Sequence, residues 1–322
     1  MDYALERIGV VMEPDPNDPQ EAWGVLNPAS ARGADGDLYL FPRLVAQGNY
    51  SRVGRTRVVF GNDVPLSVER LGIALEPEEE WEARGVEDPR ITFINRLGLY
   101  LMTYTAFGPE GPRVAIAAST DLEQWERYGL VEFGGGLDSY DNKDAAFFPE
   151  PVATPDGRSA YALLHRPANE QRPGIWISFA PADEVERDPR KIVQVEDHRR
   201  VAAPQEPWEE LKIGAGPPPV RTDEGWLLVH HGVSGRLEDG VELQPAVRYC
   251  AGAMMLDLKE VWQVVSRTRE PLLEPETGPE RQGIVPNVVF PTALDERGDG
   301  SADVFYGMAD SRIGAARLSR ST

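Results

Sequence analysis

Gly85-Val86-Glu87-Asp88-Pro89-Arg90, followed by Leu99-Tyr100-Leu101 and ending at Tyr104, decides the fold, because the chain repeats this form five times. A turn containing proline leads into an apolar strand, a glycine-bearing turn, and a second strand with a polar or charged end. One copy runs from Asn27-Pro28 through Leu38-Tyr39-Leu40 to Arg43, and another from Asp144 and Phe148-Pro149-Glu150 through Tyr161-Ala162-Leu163-Leu164 to His165-Arg166. Two more run from Gly216-Pro217-Pro218 through Trp226-Leu227-Leu228-Val229 to His230-His231, and from Pro286-Asn287 through Val304-Phe305-Tyr306 to Asp310. The copies start roughly 60–70 residues apart, and a fixed period of strand-rich units is the signature of a propeller or solenoid. The reading is all-β: a five-bladed β-propeller that occupies residues 1–322 as a single domain. A propeller brings the same edge of every blade to one central cavity, so the polar strand ends are expected to meet there.

A second repeated element supports the blades. Leu5-Glu6-Arg7-Ile8-Gly9, Val68-Glu69-Arg70-Leu71-Gly72 and Arg269-Glu270-Pro271 each read as an outer strand crossing into the next unit. Between inner and outer strands lie short turn-bounded runs such as Val114-Ala115-Ile116-Ala117-Ala118-Ser119 and Ile175-Trp176-Ile177-Ser178-Phe179-Ala180, which favour strands over helices. The segment Ile8 to Met12 is expected to complete the blade that holds Ile313 to Leu318. Asp121-Leu122-Glu123-Gln124-Trp125 and Leu258-Lys259-Glu260-Val261-Trp262 read as connectors with a packed tryptophan. Glu76 to Glu82 reads as a solvated acidic loop.

Bulk properties narrow the function. A hydrophobic fraction of 41% suits a substantial core, and 28 prolines with 31 glycines suit many short strands and tight turns. The formal charge of −20 argues against nucleic acid as a partner. Against that acidic background, arginine, lysine and histidine at strand ends point to an anion. Cys250 is the sole cysteine, so no intrachain disulfide framework exists, which fits a reducing compartment. The absence of a signal-like segment near Met1 and of any apolar run near 18 residues reads as a cytoplasmic protein with no membrane association. A homo-oligomer stays open.

Three constellations carry chemistry. Asp88 precedes a proline and is therefore pushed out of the helical region, which fixes its carboxylate at a strand edge; an Asx turn is the structural alternative. Asp141-Asn142-Lys143-Asp144 reads as a sugar- or anion-binding loop, or else as a solvated one. His165-Arg166 and His230-His231 end inner strands, and with Arg43 and Lys212 their donors favour an oxyanion. Neighbouring histidines on a strand face opposite ways, so they do not share an ion. No HExxH motif or Cys/His ligand spacing is present, and a metal is discounted.

These residues resemble glycoside hydrolase family 130, the inverting β-mannoside phosphorylases and related β-mannosidases. The resemblance runs through Asn27-Pro28, Ser51-Arg52-Val53-Gly54, Glu87-Asp88-Pro89-Arg90, Asp141-Asn142-Lys143-Asp144, His165-Arg166-Pro167, Lys212-Ile213-Gly214-Ala215-Gly216-Pro217-Pro218, Trp226 to Val233, and Phe305-Tyr306-Gly307-Met308-Ala309-Asp310. It implies a five-bladed β-propeller and an acid at Asp88, acting through the 3-hydroxyl of the bound mannose. It implies inorganic phosphate as co-substrate, with no other cofactor, attacking the anomeric carbon to give α-mannose 1-phosphate. Arg52, Lys143, Arg166, Lys212 and His231, with Tyr249 nearby, would hold the phosphate, and the His231 imidazolium would add charge. Asn27, Arg43, Glu87, Arg90, Asp144 and Asp310 would line the mannose subsite. Many relatives read Tyr-Arg where this chain reads Phe41-Pro42-Arg43. Because phosphate is already an anionic nucleophile, cationic positioning can replace a general base. A hydrolase on the same scaffold, with Glu150, Glu206, Glu209 or Glu210 as base, and a non-catalytic glycan-binding propeller are the alternatives.

Overall fold

The computed structural model describes residues 1–168, 174–238 and 244–320. After β1 (Tyr3–Met12), a first antiparallel meander comprises β2 (Gly24–Arg32), β3 (Leu38–Ala46), β4 (Tyr50–Gly61) and β5 (Val64–Leu75). A second comprises β6 (Gly85–Ile94), β7 (Leu99–Gly108), β8 (Gly111–Ser119) and β9 (Glu126–Leu130). The third holds β10 (Asn142–Phe147), the short β11 (Val152–Ala153), β12 (Ser159–Pro167), β13 (Ile175–Pro181) and β14 (Glu196–Ala202). The fourth holds β15 (Lys212–Ala215), the short β16 (Val220–Arg221), β17 (Trp226–Gly235), β18 (Val247–Leu256) and β19 (Val264–Arg267). The last contains β20 (Val289–Glu296), β21 (Ala302–Met308) and β22 (Arg312–Arg320). One parallel pair, Ser51 opposite Gly85, joins the first two meanders into an eight-stranded sheet, and the others form separate sheets.

The fourth strand of the last sheet is β1, which pairs antiparallel with β22, Leu5 opposite Leu318 and Met12 opposite Ile313. This is the closure expected from sequence. The cores lie between the meanders. Tyr39 and Phe41 of β3 pack with Met102 and Tyr104 of β7, whereas the intervening Leu38 and Leu40 pack with Phe305 and Ala315 of the last sheet. Successive side chains of β3 therefore serve two different cores, which is why these middle strands read as unbroken apolar runs. Three further clusters join the second meander to the third, the third to the fourth, and the fourth to the fifth.

The two tryptophan segments are connectors. Asp121 Oδ1 accepts from the Glu123 and Gln124 amides, and Trp125 packs edge-on against Phe41 at 5.7 Å. Among the described residues no helix is long and apolar enough to cross a membrane.

The acidic loop departs from expectation. Glu82 is fully buried and accepts from Tyr104 Oη at 2.6 Å, Arg127 Nε at 3.1 Å and the amides of Glu78 and Glu79. The device recurs. Glu209 is held by Arg267 and His230, Glu280 by Arg7 and Tyr306, and Glu21 by Arg70. In each, an arginine of a meander's outermost strand and local backbone amides neutralise a carboxylate just before the first strand of the same meander. A buried charge is tolerable only when paired and hydrogen-bonded in this way. Glu21 lacks an aromatic partner; Pro42 stands opposite the Asn27-Pro28 irregularity of β2, as Tyr104 stands opposite that of β6.

Candidate active site

Three inner strands carry the same irregularity. The register of β2 jumps between Leu26 and Ala29, that of β6 between Glu87 and Arg90, and that of β10 between Lys143 and Ala146. Each jump is a bulge that sets two residues against one and re-aims a side chain. The first bulged residue is in turn Asn27 (φ 43°), Asp88 (φ 47°) and Asp144 (φ 55°). This left-handed conformation is one that asparagine and aspartate tolerate better than other residues with a side chain. Asp310 (φ 50°) reaches the same region from the turn between β21 and β22.

The bulged residues join into two halves. In the acidic half, Asp88 Oδ1 accepts from Asn27 Nδ2 at 2.9 Å and from Arg43 Nη1 at 3.2 Å. Arg43 also donates to Glu87 Oε1 at 2.8 Å, Ser51 Oγ at 2.8 Å and Asn49 Oδ1 at 3.1 Å. Both hydrogen bonds to Asp88 fall on Oδ1, so Oδ2 has no hydrogen-bond partner among the described residues. Burial raises the Asp310 carboxyl to about 7; Arg43 opposes this, and the Asp88 and Glu87 charges add to it.

The basic half contains Arg166, Lys143, Lys212, His231 and Tyr249. Lys143 stands opposite Arg166 across β10 and β12. Lys212 Nζ lies 5.8 Å from the centre of the Tyr249 ring. Burial, with Arg166 and Lys143 adjacent, lowers the Lys212 ammonium to about 7. Burial lowers His231 to about 3 in spite of Asp144, and the cations Arg166, Arg90 and Lys212 add to the effect. His231 is therefore a neutral imidazole at physiological pH, and the charge its imidazolium would add is confined to low pH. Burial also pushes the Tyr249 hydroxyl well up, so it stays protonated.

Asp144 and Arg90 bridge the halves. Arg166 Nε donates to Asp144 Oδ2 at 2.6 Å; His231 Nε2 lies 3.6 Å and Arg90 Nη2 3.8 Å from that carboxylate. Burial alone would raise Asp144, but Arg166, His231 and Arg90 hold it well below the ordinary carboxylate range. Arg90 is fixed by the carbonyls of Gly216 at 2.9 Å and Asp88 at 2.5 Å. A Cβ at Gly214 would collide with both Asp144 Oδ2 and His231 Cε1, so this close approach requires glycine. Four buried polar atoms here have no hydrogen-bond partner among the described residues: Arg90 Nη2, both His231 ring nitrogens and Asn27 Oδ1. Unsatisfied buried polar groups gathered in one place mark a site built for a polar ligand.

Arg52 keeps other company. Its guanidinium lies over the Tyr50 ring at 4.8 Å and its Nε lies 3.5 Å from Glu76, and no described contact joins it to Arg166, Lys212 or His231. It sits between Ser51, which turns inward to Arg43, and Val53, which is buried in the core, so strand alternation directs it the other way. The carboxylates considered as a base are also engaged elsewhere. Glu209 is in its clasp, Glu206 caps the turn before it, Glu150 pairs with Arg221, and Glu210 accepts from the Gly235 amide. Sequence reasoning missed Asn49 and Phe290 altogether. The Phe290 ring lies 4.3 Å from that of His231 and 5.8 Å from the Arg90 guanidinium. No local motif marks either residue.

A family profile described as beta-1,4-mannooligosaccharide phosphorylase matches residues 4–321. The chain belongs to glycoside hydrolase family 130. It is 38% identical over 245 residues to a 1,2-beta-oligomannan phosphorylase of Thermoanaerobacter sp. (strain X514), covering 75% of this chain and 70% of that one. It is 40% identical over 235 residues to a beta-1,4-mannooligosaccharide phosphorylase of Ruminococcus albus, covering 71% and 61%. The structure of a beta-1,2-mannobiose phosphorylase from Listeria innocua, solved with beta-1,2-mannobiose, superposes with a TM-score of 0.75 at 23% identity, over 98% of this chain and 96% of that one.

Proposed function

We propose that the protein is an inverting β-mannoside phosphorylase, acting on β-1,2- or β-1,4-linked mannosides to release α-mannose 1-phosphate. The observation that carries this reading is the split of the site into an acidic half around Asp88 and a basic half around Arg166 and Lys212, with Asp144 and Arg90 between them. The mannoside phosphorylase activities of the relatives support it. We read the chain as one five-bladed β-propeller acting in the cytoplasm; the five meanders and the five apolar clusters between successive ones support the ring.

In this mechanism Asn27, Asp144 and Asp310 hold the mannosyl ring between the halves. Hydrogen bonds from Asn27 and Arg43 fix Asp88 Oδ1, which leaves Oδ2 to carry the proton for the leaving oxygen, relayed by the sugar 3-hydroxyl. Arg166, Lys143 and Lys212 neutralise phosphate on the opposite side, and neutral His231 and Tyr249 supply donors. Phosphate oxygen attacks the anomeric carbon as the glycosidic bond breaks. Fixed cations and dipoles need no reorganisation as charge shifts, so no protein base is required. No carboxylate considered as a base joins the basic half, and this favours phosphate over water as the nucleophile.

The test is an assay of β-1,2- and β-1,4-mannobiose with and without inorganic phosphate. The expected product is mannose 1-phosphate, formed only with phosphate. Free mannose at the same rate in both would overturn the reading in favour of hydrolysis.

A further inference from the structure

We propose that Lys212 is a covalent modification site, whose amine condenses reversibly with small aldehydes carrying a phosphate monoester and so blocks the enzyme. The inference rests on the anion-binding reading of the basic half. Of the 33 basic residues only four are lysines, at positions 143, 191, 212 and 259. The fold brings two of these four together beside Arg166, whereas Lys191 and Lys259 are exposed at the surface. Lys212 is mostly enclosed by protein, its Nζ faces the Tyr249 ring, and no hydrogen bond or ion pair ties it to a carboxylate among the described residues. Its neighbour Arg166 donates to Asp144 Oδ2 at 2.6 Å.

This is the environment in which a lysine becomes a nucleophile: burial and adjoining cations disfavour the ammonium. With the ammonium lowered to about 7, about half of Lys212 carries a free lone pair at neutral pH, against less than about one part in a thousand for an ordinary lysine. The flanking Arg166 and Lys143 would hold a phosphate ester and so concentrate its carbonyl beside the amine. The Nζ lone pair attacks the carbonyl carbon to form a C–N bond while the C=O π pair moves to oxygen, which takes up a proton given up by the nitrogen. The carbinolamine then expels its hydroxyl as water, with a proton from nitrogen, to leave an imine. Water reverses the step, and no oxidant or reductant takes part.

Pyridoxal 5′-phosphate is the probe, with borohydride added to reduce the imine for peptide mapping. The expected result is one adduct, on the peptide containing Lys212. Pyridoxal without phosphate should react roughly tenfold more slowly, the low end for a charge-assisted contact. Inorganic phosphate should slow labelling about tenfold when present at about ten times its dissociation constant. Lys212→Arg should lose the adduct while Lys143→Arg keeps it; the wild-type peptide map decides the matter even if either variant misfolds. Labelling spread evenly over Lys191 and Lys259, or equal rates for the two aldehydes, would overturn the proposal. Phosphate-dependent release of mannose 1-phosphate is measured on the same preparation before the aldehyde is added, and labelling should then abolish it. Turnover without an adduct overturns only the lysine inference, and an adduct without phosphate-dependent turnover overturns the phosphorylase reading instead.

Discussion

Asn27 Nδ2 and Asp88 Oδ1 lie 2.9 Å apart, and each belongs to the bulged residue of a different inner strand. The bond ties the first meander to the second at the point where the proposed acid is held. The side-chain oxygen of Asn27 lies where a Cβ on Gly307 would stand, so the last sheet also bears on its position. Asp88→Asn keeps an oxygen to accept from Asn27 and Arg43 but cannot donate a proton as an acid. We expect an unchanged melting temperature and a loss of kcat of about 10²–10⁴-fold, the usual worth of general acid catalysis. Activity within a few-fold of wild type would move the acid elsewhere.

Arg166 tests the basic half. Replacing it with lysine keeps a cation beside Asp144 but loses the planar fork of donors. The KM for phosphate should rise about tenfold to a hundredfold, the worth of one charge-assisted hydrogen bond, while the KM for mannoside moves much less. Equal rises in both would mean that Arg166 serves the sugar through Asp144 and not the anion.

Glu209 tests the clasp. Glu209→Gln leaves Arg267 without its buried counter-charge, and breaking such a pair costs about 3–5 kcal/mol. The expected outcome is a lower denaturant midpoint with an unchanged KM for phosphate. A shift in phosphate KM without loss of stability would give Glu209 a place in the reaction.

Much of this was legible in the chain. The repeat marked the strand pairs, the alternation of His230 and His231 sent one to Glu209 and the other to Asp144, and the fit of β1 against β22 followed from the habit of propellers to complete the last blade with a terminal segment. The buried glutamates were not legible, because Glu82 lies in a run of acidic residues and its arginine is 45 positions away. Yet a signal was present: Glu21-Ala22-Trp23-Gly24, Glu82-Ala83-Arg84-Gly85 and Glu280-Arg281-Gln282-Gly283 share the spacing Glu-x-x-Gly just before or at an inner strand. The place of Arg52 was hidden for another reason. Motif resemblance fixes which residue is present, whereas strand parity fixes which way it faces.

Asp310 gives a pH test. Its carboxyl is raised to about 7 from an ordinary value of 3.8, so the folded protein binds more protons than the unfolded chain between those values. Its contribution is therefore most favourable at low pH and is lost as pH rises through about 7. Asp310→Asn removes that dependence. Relative to the variant, wild type should lose stability between about pH 4 and about pH 7, read as the difference in denaturant midpoints. A difference independent of pH would show that Asp310 is ionised throughout.

The pairing of β1 with β22 has a consequence for biosynthesis. Tyr3 finds its partner in Arg320, so β1 waits unpaired until all the intervening meanders have been made and β22 follows. Until then the nascent chain carries an unpaired strand edge, the kind of surface that invites wrong partners. Asp310 and the strand that follows it arrive in the same late stretch. A product cut short before Asp310 thus lacks part of the acidic half together with the strand that pairs with β1.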